Sequence, residues 1–282
     1  MVISINGKPV DITLDTEKTL GDVLSGIEQW ISPSRSRIQK ISVNNKALCE
    51  NTLSGEFGKD IADIKNLDIV VSSWCELASE ALTNLLETCA IYERVPFAER
   101  QQIVSAWKGL AAARFLESDI QDIYNLSEKL FSGEGLSSPE LITLIEERLR
   151  EVSDPKAEIE KYEAFVSSIA QRMEELPLDM QTGKDLRAAE TIQLFSHTCE
   201  KLFRIFHIYK LEGLDLESFV IEDLPALKFI EEFNSALAEL SSAYEKQDTV
   251  LTGDISEYEL APRVIKFHTA LKSYFDTNTS VG

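Results

Sequence analysis

The chain of 282 residues has few of the side chains from which enzymes most often build reactive sites. It contains three histidines and four cysteines, the latter at Cys49, Cys75, Cys89 and Cys199. The cysteines form no Cys-x-x-Cys pair and stand among apolar neighbours, which is typical of reduced thiols. We therefore expect a cytoplasmic protein without a disulfide framework.

Basic side chains and long apolar runs are also scarce. Lys and Arg number 28 against 48 Asp and Glu, which gives a formal net charge of -20. A field of this sign repels nucleic acid and attracts a basic protein partner. No run of about 18 apolar residues occurs, and no basic segment with an apolar core follows the N-terminus. The composition therefore argues against nucleic-acid binding, membrane insertion and secretion.

The first residues alternate apolar and polar side chains on either side of a turn signal. The apolar segment Val2–Ile5 is followed by Asn6-Gly7, a pair that favours tight hairpins because both central residues must reach positive φ. A return strand is predicted from the alternating apolar residues Val10, Ile12 and Leu14.

The hydrophobic period then changes from two residues to that of a helix. Leu20–Ile31 carries apolar residues at helical spacing behind Thr19, an expected N-cap with Asp22 three residues on. Three further strands are predicted at residues 38–43, 47–48 and 67–71. The first 73 residues thus predict a sheet covered by one amphipathic helix.

This order of elements resembles the ubiquitin-like β-grasp superfamily over residues 1–73. The resemblance rests on element order and length, and it implies the fold. Members that act in conjugation or sulfur carriage use a free Gly-Gly tail after the last strand, whereas Val71-Ser72-Ser73-Trp74 continues directly here. The resemblance therefore implies a binding module, whose sheet either contacts a partner or docks on the chain's own helices.

From Trp74 onward, apolar residues recur at alternating steps of three and four. Such seams pack helices side by side at shallow crossing angles. We predict an acidic all-helical domain over residues 74–276, a bundle or elongated array, and a disordered tail at 277–282. The fold class is then α+β, with an N-terminal ubiquitin-like β-grasp domain and a larger helical domain.

The segment 176–192, LPLDMQTGKDLRAAETI, places Gly183-Lys184 in front of a helix, where phosphate loops bind nucleotides. A phosphate loop needs a glycine five residues earlier and Ser or Thr after the lysine, but Leu178 and Asp185 occupy these positions. The sequence instead predicts that one helix ends at Leu176-Pro177. Thr182 is expected to cap the next helix, with Asp185 as its capping-box partner.

Other candidate chemistry has structural explanations. His268 lies on the apolar seam of its helix, which predicts a hydrogen-bonded core histidine. His197 and Cys199 point to different faces of one helix, so they do not form a base and nucleophile pair. The acidic segment 248–259 lacks the calcium-loop spacing, and Asp254 is expected as an N-cap. We therefore predict no catalytic residue, no cofactor and no metal.

A non-enzymatic interaction protein, acting as an adaptor, scaffold or assembly chaperone, is the predicted function. Candidate partner contacts are Phe203, Phe206 and Tyr209, where the apolar seam widens to nearly the whole helix circumference, and Leu178 and Met180 in the connecting loop of the segment 176–192. The widened seam is either the bundle centre or a homodimer interface.

An enzyme or small-ligand protein with a site assembled in the helical domain is the alternative. Such a site would bring together polar groups around Lys184, Arg187, His197 or Glu259.

Overall fold

The computed structural model describes residues 1–11, 14 and 16–278. Ile12 of the predicted return strand and positions 279–282 of the predicted tail lie outside the described residues. The predicted α+β class is confirmed, because a mixed sheet precedes a larger helical region. Two compact units are formed, residues 1–149 and 150–282.

The first unit begins with a five-stranded mixed sheet. Its strands are β1 Val2–Ile5, β2 Lys8–Val10, β3 Arg37–Val43, β4 Lys46–Leu48 and β5 Asn66–Ser72. The strand order is β2-β1-β5-β3-β4, with β1 and β5 parallel and the other neighbours antiparallel. This arrangement is compatible with a β-grasp-like segment.

Helix α1, Leu20–Ile31, covers the sheet with its apolar face. Its buried residues Leu24 and Ile27 share one core with Leu67 and Ile69 of β5. The predicted capping box at Thr19 is confirmed, since its hydroxyl accepts from the N–H of the third helical residue and the side chain of that residue accepts from the Thr19 N–H. A local sequence signal therefore fixes the start of this helix.

The remaining helices of the first unit follow the sheet or its loops. They are α2 Glu50–Glu56, α3 Trp74–Arg94, α4 Phe97–Lys108, α5 Ala111–Asp119, α6 Gln121–Ser132 and α7 Ser138–Ser153, within which the boundary between the units falls.

Asp119, at the end of α5, connects the sheet to the helices of the first unit. Its nearly buried carboxylate lies 3.2 Å from Arg35 Nη1 and 3.0 Å from Arg37 Nη2. The indole N–H of Trp74 donates a further hydrogen bond to it at 3.2 Å. The sheet is thus held to its own helices at this end, whereas Val70 on the face of β5 stays exposed.

Long helices dominate the second unit. They are α8 Pro155–Gln181, α9 Asp185–Leu211, α10 Ala226–Glu245, α11 Thr249–Asp254 and α12 Ala261–Asn278, with a π-helical segment Ile255–Leu260 before α12 and a hairpin of β6 Val220–Ile221 and β7 Leu224–Pro225 after α9. The sequence did not predict the hairpin, because strands of two residues are too short to show alternation. His268 is the predicted core histidine, with Nε2 2.8 Å from the Ile159 carbonyl oxygen.

The corner between two helices that the sequence predicts at residues 176–185 is misplaced, since neither helix ends or begins where predicted. Helix α8 continues through Pro177 to Gln181. The Pro177 ring packs closely on Gly253, because a Cβ atom added to Gly253 would lie 3.0 Å from that ring. Thr182 does not cap α9, because its hydroxyl donates to the Leu178 carbonyl at 2.7 Å. Thr182 instead closes α8, followed by Gly183 at φ 70°.

Asp254 is likewise not the N-cap that the sequence predicts. It is the last residue of α11 and runs directly into the π-helical segment. The cap is Asp248, whose carboxylate accepts the Leu251 N–H at 3.0 Å. Both errors arise because Asp and Thr are suitable N-caps but also occur elsewhere in helices, where Thr can donate to the carbonyl four residues back, so tertiary packing decides which residue caps.

Candidate interaction surface

Lys184 and Arg187 are the cations of the phosphate-loop-like segment 176–192. Both form ion pairs with Asp179. The Asp179 side chain is 2% exposed, and its carboxylate oxygens lie 3.2 Å from Lys184 Nζ and 3.1 Å from Arg187 Nε. Arg187 contacts Asp179 Oδ2 as an ion pair whose geometry does not meet that of a hydrogen bond. These cations therefore neutralise a buried carboxylate at the end of α8.

His197 and Glu259, the other two residues of the alternative enzyme site, form ion pairs with different partners. His197 Nδ1 lies 3.6 Å from Glu200 Oε2 at an exposed position of α9. Glu259 forms an ion pair with Arg263 one turn later. The four polar groups named as a candidate enzyme site thus have three different sets of partners. Within the described part of the chain, no cluster of three or more His, Cys, Asp or Glu side chains is arranged to hold a metal ion.

A buried ion-pair cluster links α7, α8 and α9 within the second unit. Arg204 donates two hydrogen bonds to the Glu151 carboxylate, at 2.9 and 2.8 Å. Lys201 Nζ lies 3.2 Å from Glu158 and 4.9 Å from the centroid of the Tyr162 ring. The carboxylates and cations compensate each other, which is the arrangement that a buried charge requires for stability. We assign this cluster a structural role.

Three of the predicted partner contacts belong to the helical core. Phe206 and Tyr209 are 8% and 1% exposed, so they present almost no surface to a partner. Phe203 is partly buried, and its ring centroid lies 5.2 Å from that of Phe267. The widened seam on α9 therefore faces the inside of the second unit.

Leu178 and Met180 lie on the last turn of α8 and not in a loop. Leu178 is 58% exposed, whereas Met180 is half-buried. A partner contact at this corner stays a prediction.

The second unit carries a groove of about 760 Å³ between the segment 213–222 and one face of α12. The residues that α12 contributes are Ile265, Lys266, Thr269, Ala270, Ser273 and Tyr274. Their spacing by one, three and four residues is that of a single helix face. At a rise of 1.5 Å per residue, this wall is about 14 Å long.

An aromatic layer supports the groove. Phe219 and Tyr274 line it and meet edge to face, with ring centroids 5.8 Å apart. Behind them, Tyr209 stacks on Tyr274 at 5.6 Å and Phe206 stacks on Phe219 at 6.4 Å. Burial raises the pKa of Tyr274. Two residues selected from the sequence thus form the layer behind the surface that a partner would contact.

Apolar side chains are left half-exposed on both walls of the groove. Val220, on the hairpin side, is 50% exposed, and Ile265 of α12 is 41% exposed. The pattern that would have identified them is not local, since 45 positions separate the two residues. Apolar surface presented in a concave site with a polar rim is typical of binding surfaces.

The rim of the groove is acidic. Asp215 and Glu222 line it, and the segment 212–223 to which they belong contains three further carboxylates and no basic side chain, namely Glu212, Glu217 and Asp223. A hydrogen bond from Ser218, with another from the backbone of Glu217, lowers the pKa of Asp215. Across the groove, Lys266 Nζ lies 2.5 Å from Glu222 Oε2. Glu222 is exposed and Lys266 is partly exposed, and such a surface pair contributes about 0–1 kcal/mol.

The tip of the hairpin has an unfavourable sequence for its conformation. Glu222 and Asp223 adopt φ of 50° and 66°, both positive as a tight two-residue hairpin turn requires. The turns after β1 and β3 have the same signs of φ but use Asn6-Gly7 and Asn44-Asn45, which tolerate this conformation. The hairpin therefore places the Glu222 carboxylate at the groove at a cost in backbone energy.

Comparisons with known proteins match two separate segments. Residues 1–73 are similar to the family described as the TP0873 N-terminal domain, and residues 157–270 to a domain of unknown function, DUF8042. An uncharacterized protein of Treponema pallidum (strain Nichols) is 26% identical over 140 residues, which cover 46% of this chain and 70% of that protein. No solved structure matches the chain. Among the described helices, none combines the length and apolar character needed to cross a bilayer.

Proposed function

We propose that the chain is a non-enzymatic interaction protein, an adaptor, scaffold or assembly chaperone, in which a ubiquitin-like β-grasp module is joined to an acidic helical region. The groove of the second unit carries the proposal, because it offers half-exposed apolar side chains on two walls beneath an acidic rim. Its partner is a protein with basic character, which the negative field also steers.

The state of the charged groups supports binding over catalysis. The cations near the phosphate-loop-like segment are engaged with Asp179, and the buried carboxylates Glu151 and Glu158 are engaged with cations. The thiols of Cys89 and Cys199 are buried, and burial raises the pKa of Cys89 to about 12. A thiol with a raised pKa is a poor nucleophile. The cysteine content also supports a cytoplasmic location.

Site-specific photo-cross-linking tests the proposal. A photoreactive amino acid is placed at Val220 or Ile265 of the full chain, and at Val250 of α11 as an exposed apolar control. We expect a discrete cross-linked protein from the two groove positions that is absent from the control. The captured protein, once purified, should bind the full chain in solution and lose affinity when Val220 becomes serine. The same products from all three positions would refute the proposal.

A further inference from the structure

We infer that the groove of the second unit takes up a short amphipathic helix that carries Lys or Arg beside its apolar face. This inference rests on the proposed function and specifies the chemistry of its partner. It is drawn from the length of the groove, from the nature of its walls and from the charge along its rim.

The walls favour a helix over an extended peptide. One wall is a face of α12, whose backbone groups are already paired within the helix, so an added strand would find no ladder there. The opposite wall offers only the two-residue strand β6. Recognition must therefore come from side chains, as when a helix lies in a groove. The wall of about 14 Å accommodates two to three helical turns.

The positions of the apolar residues match such a helix. Val220 and Ile265 are half-exposed on opposite walls, and Phe219 and Tyr274 line the groove with aromatic surface. A helix with one apolar stripe would cover these four side chains at once. Because the second layer of aromatic rings is packed in the core, this surface is preorganised for binding.

The charge along the rim selects a basic helix. Asp215 and Glu222 line the groove, three further carboxylates lie in the same segment 212–223, and Glu222 pairs with Lys266. A Lys or Arg from the partner can replace Lys266 at little cost, because exposed pairs are weak. An acidic helix would be repelled by the same carboxylates, and a second copy of the chain would meet its own net charge of -20.

Fluorescence anisotropy with a defined probe tests the inference on the full chain. The probe is a labelled helical peptide of about 14 residues with leucines on one face and lysines on the other. A counterpart with glutamates in place of the lysines is the peptide control. We expect saturable binding of the lysine peptide, weakened by added salt, and no binding of the glutamate peptide.

Matched variants locate the site. We expect E222Q/D223N to weaken binding of the lysine peptide about tenfold, whereas E174Q/E239Q removes two exposed carboxylates outside the groove and should leave it within about twofold. V220S/I265S should weaken binding similarly, and V250S/L186S should not. Thermal melts of each variant verify that it folds.

Three results would overturn the inference: no binding of the lysine peptide, equal binding of the glutamate peptide, or equal losses in the groove and control variants. If cross-linking from Val220 captures a partner that the lysine peptide does not displace, the basic helix is wrong while the proposed function stands. Displacement of the captured partner by the lysine peptide supports both.

Discussion

Replacing the hairpin tip with Asn-Gly should stabilise the second unit while it weakens binding. The double variant E222N/D223G keeps the positive φ of both turn residues but supplies the residue types found at Asn6-Gly7. A non-glycine residue in this region costs about 1–2 kcal/mol, and Asn tolerates it better than Glu. We take about 1 kcal/mol of relief at each position.

Two losses offset part of this relief. The pair between Glu222 and Lys266 disappears, which costs about 0.5 kcal/mol for exposed partners. The added glycine gains freedom in the unfolded chain, which costs about another 0.5 kcal/mol. The net stabilisation is therefore about 1 kcal/mol. For a unit of this size, the melting temperature should rise by about 3 °C.

Calorimetry of the full chain measures the shift, and anisotropy with the lysine peptide measures binding. E222Q/D223Q is the control, because it removes the same charges without a glycine and leaves Gln at positive φ in both positions. We expect it to reduce affinity to a similar extent while its melting temperature does not rise. A fall in the melting temperature of E222N/D223G, or an unchanged affinity for the peptide, would refute the reasoning about this turn.

Three further predictions concern parts of the fold outside the groove. Lys201→Met leaves Glu158 buried without its nearest cation and should destabilise the chain by about 3 kcal/mol in urea unfolding, with K201M/E158Q less destabilised than the single variant. Gly183→Ala forces a side chain to φ 70° and should cost about 1 kcal/mol in the same assay. The backbone N–H groups of Lys18 and Thr19 lower the pKa of Asp22, so its cap stabilises the folded state above the unfolded pKa of 3.8 and is lost as the pH falls through the folded value. An NMR titration of Asp22 should give a pKa below 3.8, and a value at or above it would contradict this assignment.

Local signals were sufficient to predict the sheet and its helix, except that the return strand is Lys8–Val10 and ends where the sequence placed its first apolar residue. Asn6-Gly7 sets a turn through its own φ preference, and Thr19 with Asp22 sets a helix start through hydrogen bonds three residues apart. Such signals do not depend on the rest of the chain. The predictions from Pro177 and Thr182 were wrong. Pro177 does not end α8, since it lies within the helix and packs on Gly253, and Thr182 caps the C-terminus of α8 instead of the N-terminus of α9.

The sequence identified only the buried aromatic residues behind the groove, and not the residues on its surface. Phe206 and Tyr209 attracted attention because apolar residues surround their helix, yet they face the core. Val220, Ile265 and Glu222 form the surface, and their proximity depends on how α12 packs beside the segment after α9. No periodicity along the sequence reports a contact between positions so far apart.

Hydrogen exchange of the full chain, with and without the lysine peptide, tests the binding surface most directly. We expect slower exchange of amides in residues 213–223 and along α12 from Ile265 to Tyr274. Amides in the corner between α8 and α9, residues 176–185, should change little. Unchanged exchange in the groove at saturating peptide, or protection confined to that corner, would contradict the assignment of the groove as the partner site.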